Sequence, residues 1–249
     1  MKIAIDIGNT TITIGLSQTG ETIEKIYRIN TEKNKSSDEY SIFMNSLISS
    51  CEGLIISSVV PELNEVFRDY FLDRFNIEAL FVGTGVKTGI KINSDNPKEV
   101  GADLISNSVA ATNIYDETCL IIDLGTATTF TFLENKVLKG VIISTGLTTS
   151  RNALISKTSL LPQVELQAPK KVLGTNSVDC IKSGLIFGHV SMIDGLIRRV
   201  KKETNKQDLK VIITGGHSKI VFPYCEELII IDETLILKGL LILLKKNNR

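Results

Sequence analysis

Tryptophan is absent from this 249-residue chain, proline occurs only 5 times and histidine only twice. Without tryptophan, aromatic-cage recognition of cations is a poor fit. With so little proline, disorder is a poor fit as well. No excess charge of either sign exists: 28 basic side chains face 28 acidic ones, for a net charge of +0. A general binder of nucleic acid or of anionic membrane surfaces carries a basic surplus, so both classes are set aside. No apolar run approaches the about 18 residues of a membrane span. The longest, Leu235 to Leu244, is broken by Lys238. Asp6 interrupts the apolar start, where a secretory leader would be uniformly apolar. The 4 cysteines (Cys51, Cys119, Cys180, Cys225) form no CxxC pair. Zinc and disulfide frameworks are therefore disfavoured, and a reducing cytoplasmic setting is expected, with Cys119 as a core thiol. Neither His189 nor His217 has a metal-ligand partner nearby in sequence, so both read as structural or surface residues. Walker A, GxSxG and HExxH patterns are missing too.

What the chain does contain is an internal echo. Ile3-Ala-Ile-Asp-Ile-Gly-Asn-Thr-Thr resembles Leu120-Ile-Ile-Asp-Leu-Gly-Thr-Ala-Thr, aligning Asp6 with Asp123 and Gly8 with Gly125. Each copy is an apolar run, a carboxylate, a glycine turn and a second β-branched run (Thr11 to Leu16; Thr128 to Leu133), which reads as a β-hairpin opening each half. Strands and helices alternate after both hairpins. The first half predicts a helix from Asp38 to Ser50 with Ile42, Phe43, Leu47 and Ile48 at helical spacing, a strand from Gly53 to Val60 and a helix from Pro61 to Phe75. A strand Ala79 to Val82, a loop Gly83 to Pro97 and a helix Pro97 to Asn113 follow. The second half predicts strands at Lys139 to Ile143, Leu209 to Thr214 and Leu228 to Ile231. Its helices start at Thr148, run from Ser177 to Lys202, follow Gly216 and end with Leu235 to Lys246. The tail KKNNR reads as a frayed end. The expected class is α/β, as two lobes over residues 1–113 and 114–249, each a mixed sheet flanked by helices, with a central cleft.

Four motifs could carry chemistry. In Asp6-Ile7-Gly8-Asn9-Thr10, a strand ending in a carboxylate turns through a glycine whose missing Cβ lets a phosphate approach backbone N–H groups. Asp6 would hold Mg²⁺, directly or through water. Taken singly this is also an ordinary polar turn; the copy at Asp123 favours a pair of phosphate hairpins. In Asn96-Pro97-Lys98-Glu99-Val100-Gly101-Ala102-Asp103, the small Gly-Ala pair leaves room for a ligand beside Asp103. That carboxylate could take a proton from a substrate hydroxyl during phosphoryl transfer, or could simply be an exposed helical Asp. Thr214-Gly215-Gly216-His217 could lay its backbone against a flat adenosine, and Gly140 to Gly146 is a strand entering a glycine turn.

Together these residues resemble the type III pantothenate kinases of the actin-like ATPase superfamily, whose lobes are ribonuclease H-like. Asp6-x-Gly-Asn-Thr, Ser57-Ser-Val-Val-Pro61, Lys87-Thr-Gly, Asn96-Pro-x-Glu-Val-Gly-Ala-Asp103, Asp123-x-Gly-Thr-Ala-Thr-Thr129, Leu161-Pro-x-Val-Glu165 and Thr214-Gly-Gly216 occur in the family's order, over nearly the whole chain. The resemblance implies ATP-dependent phosphorylation of the primary hydroxyl of pantothenate, the first step of coenzyme A synthesis. It further implies that Asp6, Ile7, Gly8, Asn9, Thr10, Thr11, Ile12, Thr13 and Thr126 bind ATP, and that Asp103 is the general base. Gly101, Ala102, Asp103, Leu104 and Ser177 would line the substrate site. Asp123 would help hold a monovalent cation, K⁺ or NH₄⁺. The implied assembly is a homodimer in the cytoplasm, with no nucleic-acid or membrane partner.

The sequence departs from the family pattern at Leu104, where an Arg follows Gly-Ala-Asp; at Thr131, where an Asp is usual; at Thr145, where Pro precedes the glycine; and at Ser94. Leu has none of the guanidinium's fork of donors. Two alternatives therefore stand beside the kinase: a catalytically altered homologue that binds a nucleotide or a pantothenate-like ligand for regulation, and a kinase acting on another small hydroxyl compound. Arg151, near Gly146, is a candidate to replace the missing Arg, or a solvated helix residue.

Overall fold

A computed structural model describes residues 1–158 and 161–247. The chain divides into two compact units: Met1–Ile114 joined by the C-terminal helix that begins at Leu235, and Tyr115–Thr234.

In the first unit, β1 (Lys2–Ile7), β2 (Thr11–Ser17), β3 (Lys25–Asn30), β4 (Gly53–Ser58) and β5 (Leu80–Phe81) form one sheet in the order β3-β2-β1-β4-β5. The first three strands are antiparallel, and β4 and β5 run parallel to β1. β1 is apolar on both sides because helices cover both faces of the sheet. On one face, Ile3, Ile5, Ile7, Ile12 and Ile14 pack with α1 (Ser37–Leu47) and α2 (Asn64–Phe75) through Tyr40, Met44, Phe67 and Phe71. On the other, Ala4 and Ile55 meet α3 (Ala102–Ile114) and the leucines of the C-terminal helix. A short strand β6 (Lys91–Ile92) lies within the expected 83–97 loop.

Helix α1 starts where its chemistry says it should. Ser36 and Glu39 form a reciprocal capping box, with Ser36 N–H donating to the Glu39 carboxylate at 2.9 Å and Glu39 N–H to Ser36 Oγ at 3.3 Å. Its buried face is not the expected one. Ile42 and Phe43 are exposed, whereas Tyr40 and Met44, one turn apart, are buried. The tyrosine reaches inward because its hydroxyl bonds to the Glu32 backbone.

In the second unit, β7 (Cys119–Leu124), β8 (Ala127–Glu134), β9 (Val137–Thr145), β10 (Lys210–Thr214) and β11 (Ile230–Ile231) repeat the same plan, ordered β11-β10-β7-β8-β9. Strands β7 to β9 are antiparallel, and β10 and β11 run parallel to β7. The helices are α4 (Leu147–Ser156), α5 (Ser177–Thr204) and the four-residue α6 (Ser218–Val221). α5 is the one helix among the described residues with the length and hydropathy of a membrane span. Its apolar side (Ile186, Val190, Ile193, Ile197) is buried against Leu120, Ile122 and Ile213, as in a core helix.

Three expectations change. Residues 114–249 do not cluster as one body: the last helix, α7 (Leu235–Lys246), belongs with the first unit, because Leu237, Leu240, Leu241 and Leu244 complete that unit's core. The helix expected from Pro97 begins at Ala102. Residues Pro97–Glu99 form only a 3-10 turn, and Val100, in extended conformation, separates it from α3. The tail is not uniformly frayed: Asn247 Oδ1 accepts from Lys87 N–H at 3.0 Å, and residues 248 and 249 lie outside the described residues.

Candidate active site

Strand register decides where the acidic residues stand. Asp6 ends β1 opposite Thr13 of β2 and beside Ser57 of β4. Ser57 Oγ donates to the Asp6 carboxylate at 3.0 Å, which fixes the acid at the strand end. Gly8 N–H donates to Thr11 O at 3.1 Å, and Thr31 Oγ1 to Gly8 O at 2.6 Å, so the turn is held from two sides. Asn9 and Thr10 are exposed at its tip. The expected ATP contacts divide accordingly. Asp6, Gly8, Asn9, Thr10, Thr11 and Thr13 retain accessible atoms, whereas the side chains of Ile7 and Ile12 are buried in the core and have only their main chain to offer a ligand.

Asp123 repeats this geometry in the second unit. It stands opposite Thr129 on β8 and beside Thr214 on β10. Gly125 N–H donates to Ala127 O at 3.0 Å, and Thr126 is exposed at the tip. Here the neighbours are backbone. Gly146, the N-cap of α4, packs against the carbonyls of Gly125 and Thr126, its N–H donating to Thr126 O at 3.2 Å. Gly215, at φ +93, packs against the Asp123 carboxylate and the Leu124 backbone. A Cβ at either glycine would collide with main chain, and the positive φ at 215 excludes most side chains on its own.

Asp103 lies in the first turn of α3, half-buried. Leu104 N–H donates to its Oδ1 at 2.8 Å. The side chain folds back over Gly101, into the volume a Cβ there would occupy. Burial pushes the Asp103 carboxyl above the usual carboxylate range, against the opposing pull of the N–H bonds. Ala102 is buried, and Leu104 is half-buried with no polar side-chain group to offer. Ser177 is exposed at the start of α5 in the second unit, behind the Asn176 cap. Thr131 is buried in β8 between Ile121 and Val141, along the strand from the turn, and Thr145 accepts a hydrogen bond from Ser150. Within the first unit Asp6 and Ser57 are brought together, and within the second Asp123, Gly125, Thr126, Gly146 and Gly215.

Sequence reasoning passed over Ser57 as a site residue and missed Thr148 and Thr149. Ser57 was findable, as a polar residue ending an apolar strand; the threonines carry no local signal. His217 and His189, expected to be structural or surface residues, are both partly or fully buried, with Nε2 bonded to Thr148 and Thr128.

Two mixed sheets of one plan, each with a carboxylate ending its central strand before a glycine turn, define the fold of the actin-like ATPases. The (R)-2-hydroxyglutaryl-CoA dehydratase component A of Acidaminococcus fermentans shares it, with a TM-score of 0.58 at 15% identity over 100% of this chain and 99% of that one. Within that class, the family model for type III pantothenate kinase matches residues 2–199, and the chain belongs to that family. It is 39% identical to the type III pantothenate kinase of Halalkalibacterium halodurans, over 99% of this chain and 100% of the relative. It is 41% identical to that of Acholeplasma laidlawii, over 99% of each.

Proposed function

We propose that the protein transfers the γ-phosphoryl group of ATP to the primary hydroxyl of pantothenate, the opening reaction of coenzyme A synthesis. The observation that carries this reading is identity of 39% and 41% to curated type III pantothenate kinases along essentially full lengths. The acidic turns and the Gly-Ala-Asp segment give it a mechanism.

The backbone N–H groups and hydroxyls around Gly8, Asn9 and Thr10 suit the phosphates of ATP, and Thr126 offers an exposed hydroxyl at the tip of the second turn. Asp103 accepts the proton of the attacking hydroxyl. Its partial burial makes it a stronger base than a solvated carboxylate, and the Leu104 N–H orients one oxygen. Gly101 and Ala102 leave space for substrate beside it, and Ser177 offers an exposed hydroxyl at the start of α5. The chemistry is largely positioning and charge neutralisation.

Among the described residues no three His, Cys, Asp or Glu converge as a closed metal cage. Single carboxylates at turns suit ions that complete their shells with phosphate and water oxygens. Asp6 would hold Mg²⁺, and Asp123, with Gly215 leaving its carboxylate uncrowded by a side chain, would hold K⁺ or NH₄⁺. When bound, these ions offset charge on the phosphates. The homodimer is the assembly that the family resemblance implies. A cytoplasmic location follows from the same pathway assignment.

The test is a coupled assay with pantothenate, ATP, Mg²⁺ and K⁺; steady turnover of pantothenate is expected. Leu104 favours a second reading, a homologue that binds without turning over, or one that phosphorylates another hydroxyl compound. Calorimetric binding of pantothenate and nucleotide with no product would establish the first of these, and product from a different hydroxyl compound the second.

A further inference from the structure

Both histidines of the chain end on threonine hydroxyls of the second unit. His189, buried on α5, has Nε2 2.9 Å from Thr128 Oγ1, just past the second acidic turn. His217 follows the Gly215-Gly216 turn, and its Nε2 lies 3.1 Å from Thr148 Oγ1 on α4. The His217 main-chain N–H donates to Leu124 O at 3.3 Å, at the end of β7. Helix α4 is in turn fastened to the acidic turn, since Gly146 N–H and Thr149 Oγ1 both donate to Thr126 O, at 3.2 and 2.7 Å. The bonds close a circuit: the end of β7, His217, the first turn of α4, and the tip of the turn that β7 feeds.

The circuit matters because of what it encloses. Gly215 is packed against the Asp123 carboxylate and the Leu124 main chain without room for a Cβ, so the glycine turn and the acidic strand end are in atomic contact. Main-chain bonds fasten that contact from the β7 side. From the α4 side, the bond between His217 and Thr148 reaches the loop behind Gly215. Burial, opposed by the Leu124 main chain and aided by the Arg151 charge, pulls the His217 imidazole below its usual range, which favours the uncharged ring. His217 Nδ1 is buried and has no hydrogen-bond partner. Through Nε2 the ring meets the threonine hydroxyl, which can serve as donor or acceptor to whichever tautomer is present.

We propose that His217 is a positioning residue for the nucleotide: its bond to Thr148 fixes the Gly215-Gly216 turn and the Asp123 to Thr126 turn in the arrangement that accepts ATP. The proposal rests on the kinase reading above and assigns this task to a residue that the family motifs leave open.

The experiment compares wild type with His217→Ala, His217→Gln, Thr148→Val and the His217→Ala/Thr148→Val double variant. It measures kcat, KM for ATP, KM for pantothenate, calorimetric Kd for ADP, and Tm. His217→Ala and Thr148→Val are each expected to raise KM for ATP and Kd for ADP by about five- to tenfold, the scale of one hydrogen bond, with KM for pantothenate within about twofold. The double variant should bind ADP no more than about twofold more weakly than His217→Ala, because both changes remove one shared bond. Glutamine, long enough to reach the hydroxyl, should recover most of the affinity. The proposal is overturned if folded His217→Ala binds ADP as wild type does, if both KM values rise together, or if glutamine recovers Tm but not ADP affinity. Absence of pantothenate turnover in wild type would instead refute the kinase reading, and the ADP titrations would still decide the role of His217.

Discussion

The two acidic turns occupy equivalent positions on equivalent sheets and are held in different ways. The first is braced by side chains: the Ser57 hydroxyl on the Asp6 carboxylate and the Thr31 hydroxyl on the Gly8 carbonyl. A Cβ at Gly8 would stand 3.1 Å from Thr11 O, tight but within reach of a small adjustment. The second is held more by close packing: Gly146 and Gly215 are pressed against main-chain atoms, Gly215 also against the Asp123 carboxylate, and the Thr149 hydroxyl donates to Thr126 O. Two copies of one sequence pattern thus rest on different supports. A Cβ would meet one carbonyl at Gly8 and several closer atoms at Gly146 and Gly215.

The largest effect should fall in the first unit, which carries the proposed base as well as a turn. Asp103→Asn is expected to lower kcat about 100-fold or more, the scale of losing a general base. Little change in Tm should accompany it, since the carboxylate it removes is partly desolvated. In wild type, kcat/KM should rise with pH through a group titrating above the usual carboxylate range, because burial disfavours the ionised form that acts as base. Full turnover by the variant would remove Asp103 from the mechanism and leave the two turns as the only functional contrast.

Next in size is the contrast between the glycines. Gly146→Ala should cost about 2 kcal/mol in urea unfolding, the scale of overpacking against atoms that cannot move. Gly8→Ala should cost well under about 1 kcal/mol of stability and show itself in KM for ATP instead. Equal stability losses for the two variants would mean that the turns are supported alike.

Acid sensitivity offers a further contrast between the units. Both histidines lie in the second unit, and burial holds His189 down to about 4. As pH falls from about 6.5 toward about 4, the unfolded chain takes up this proton while the folded chain does not, so stability declines through that window. His217, also held below its usual range, adds in the same direction. Hydrogen exchange at pH 7 and pH 5 should show the second unit loosening before the first. Equal loosening of both units would sink the attribution, as would an unchanged acid response in His189→Gln.

Much of this was legible because it is written locally. The two hairpins follow from apolar runs ending in Asp-x-Gly, and both acidic residues emerge at strand ends as their spacing predicts. Strand β3 escaped notice, since Lys25–Asn30 is an edge strand with half its residues exposed and little apolar alternation. The face of α1 was misjudged because several apolar residues fit a helical stripe, and only the sheet beneath it chose Tyr40 and Met44 over Ile42 and Phe43. At the site, the carboxylates were readable, but the threonines that meet the histidines were not. Thr148 and His217 are 69 residues apart, and no periodicity links them.

The sequence alone determined the duplicated α/β plan, the two carboxylate turns and the Gly-Ala-Asp segment, because strand period, turn chemistry and residue type are local properties. The tertiary structure decided the rest. It moved the last helix to the first unit, since a leucine-rich face goes wherever a sheet face remains uncovered. It seated Asp103 over Gly101 and pushed its carboxyl upward, since desolvation depends on everything packed around a group. It also joined His217 to Thr148, a pairing that exists only once distant strands lie side by side.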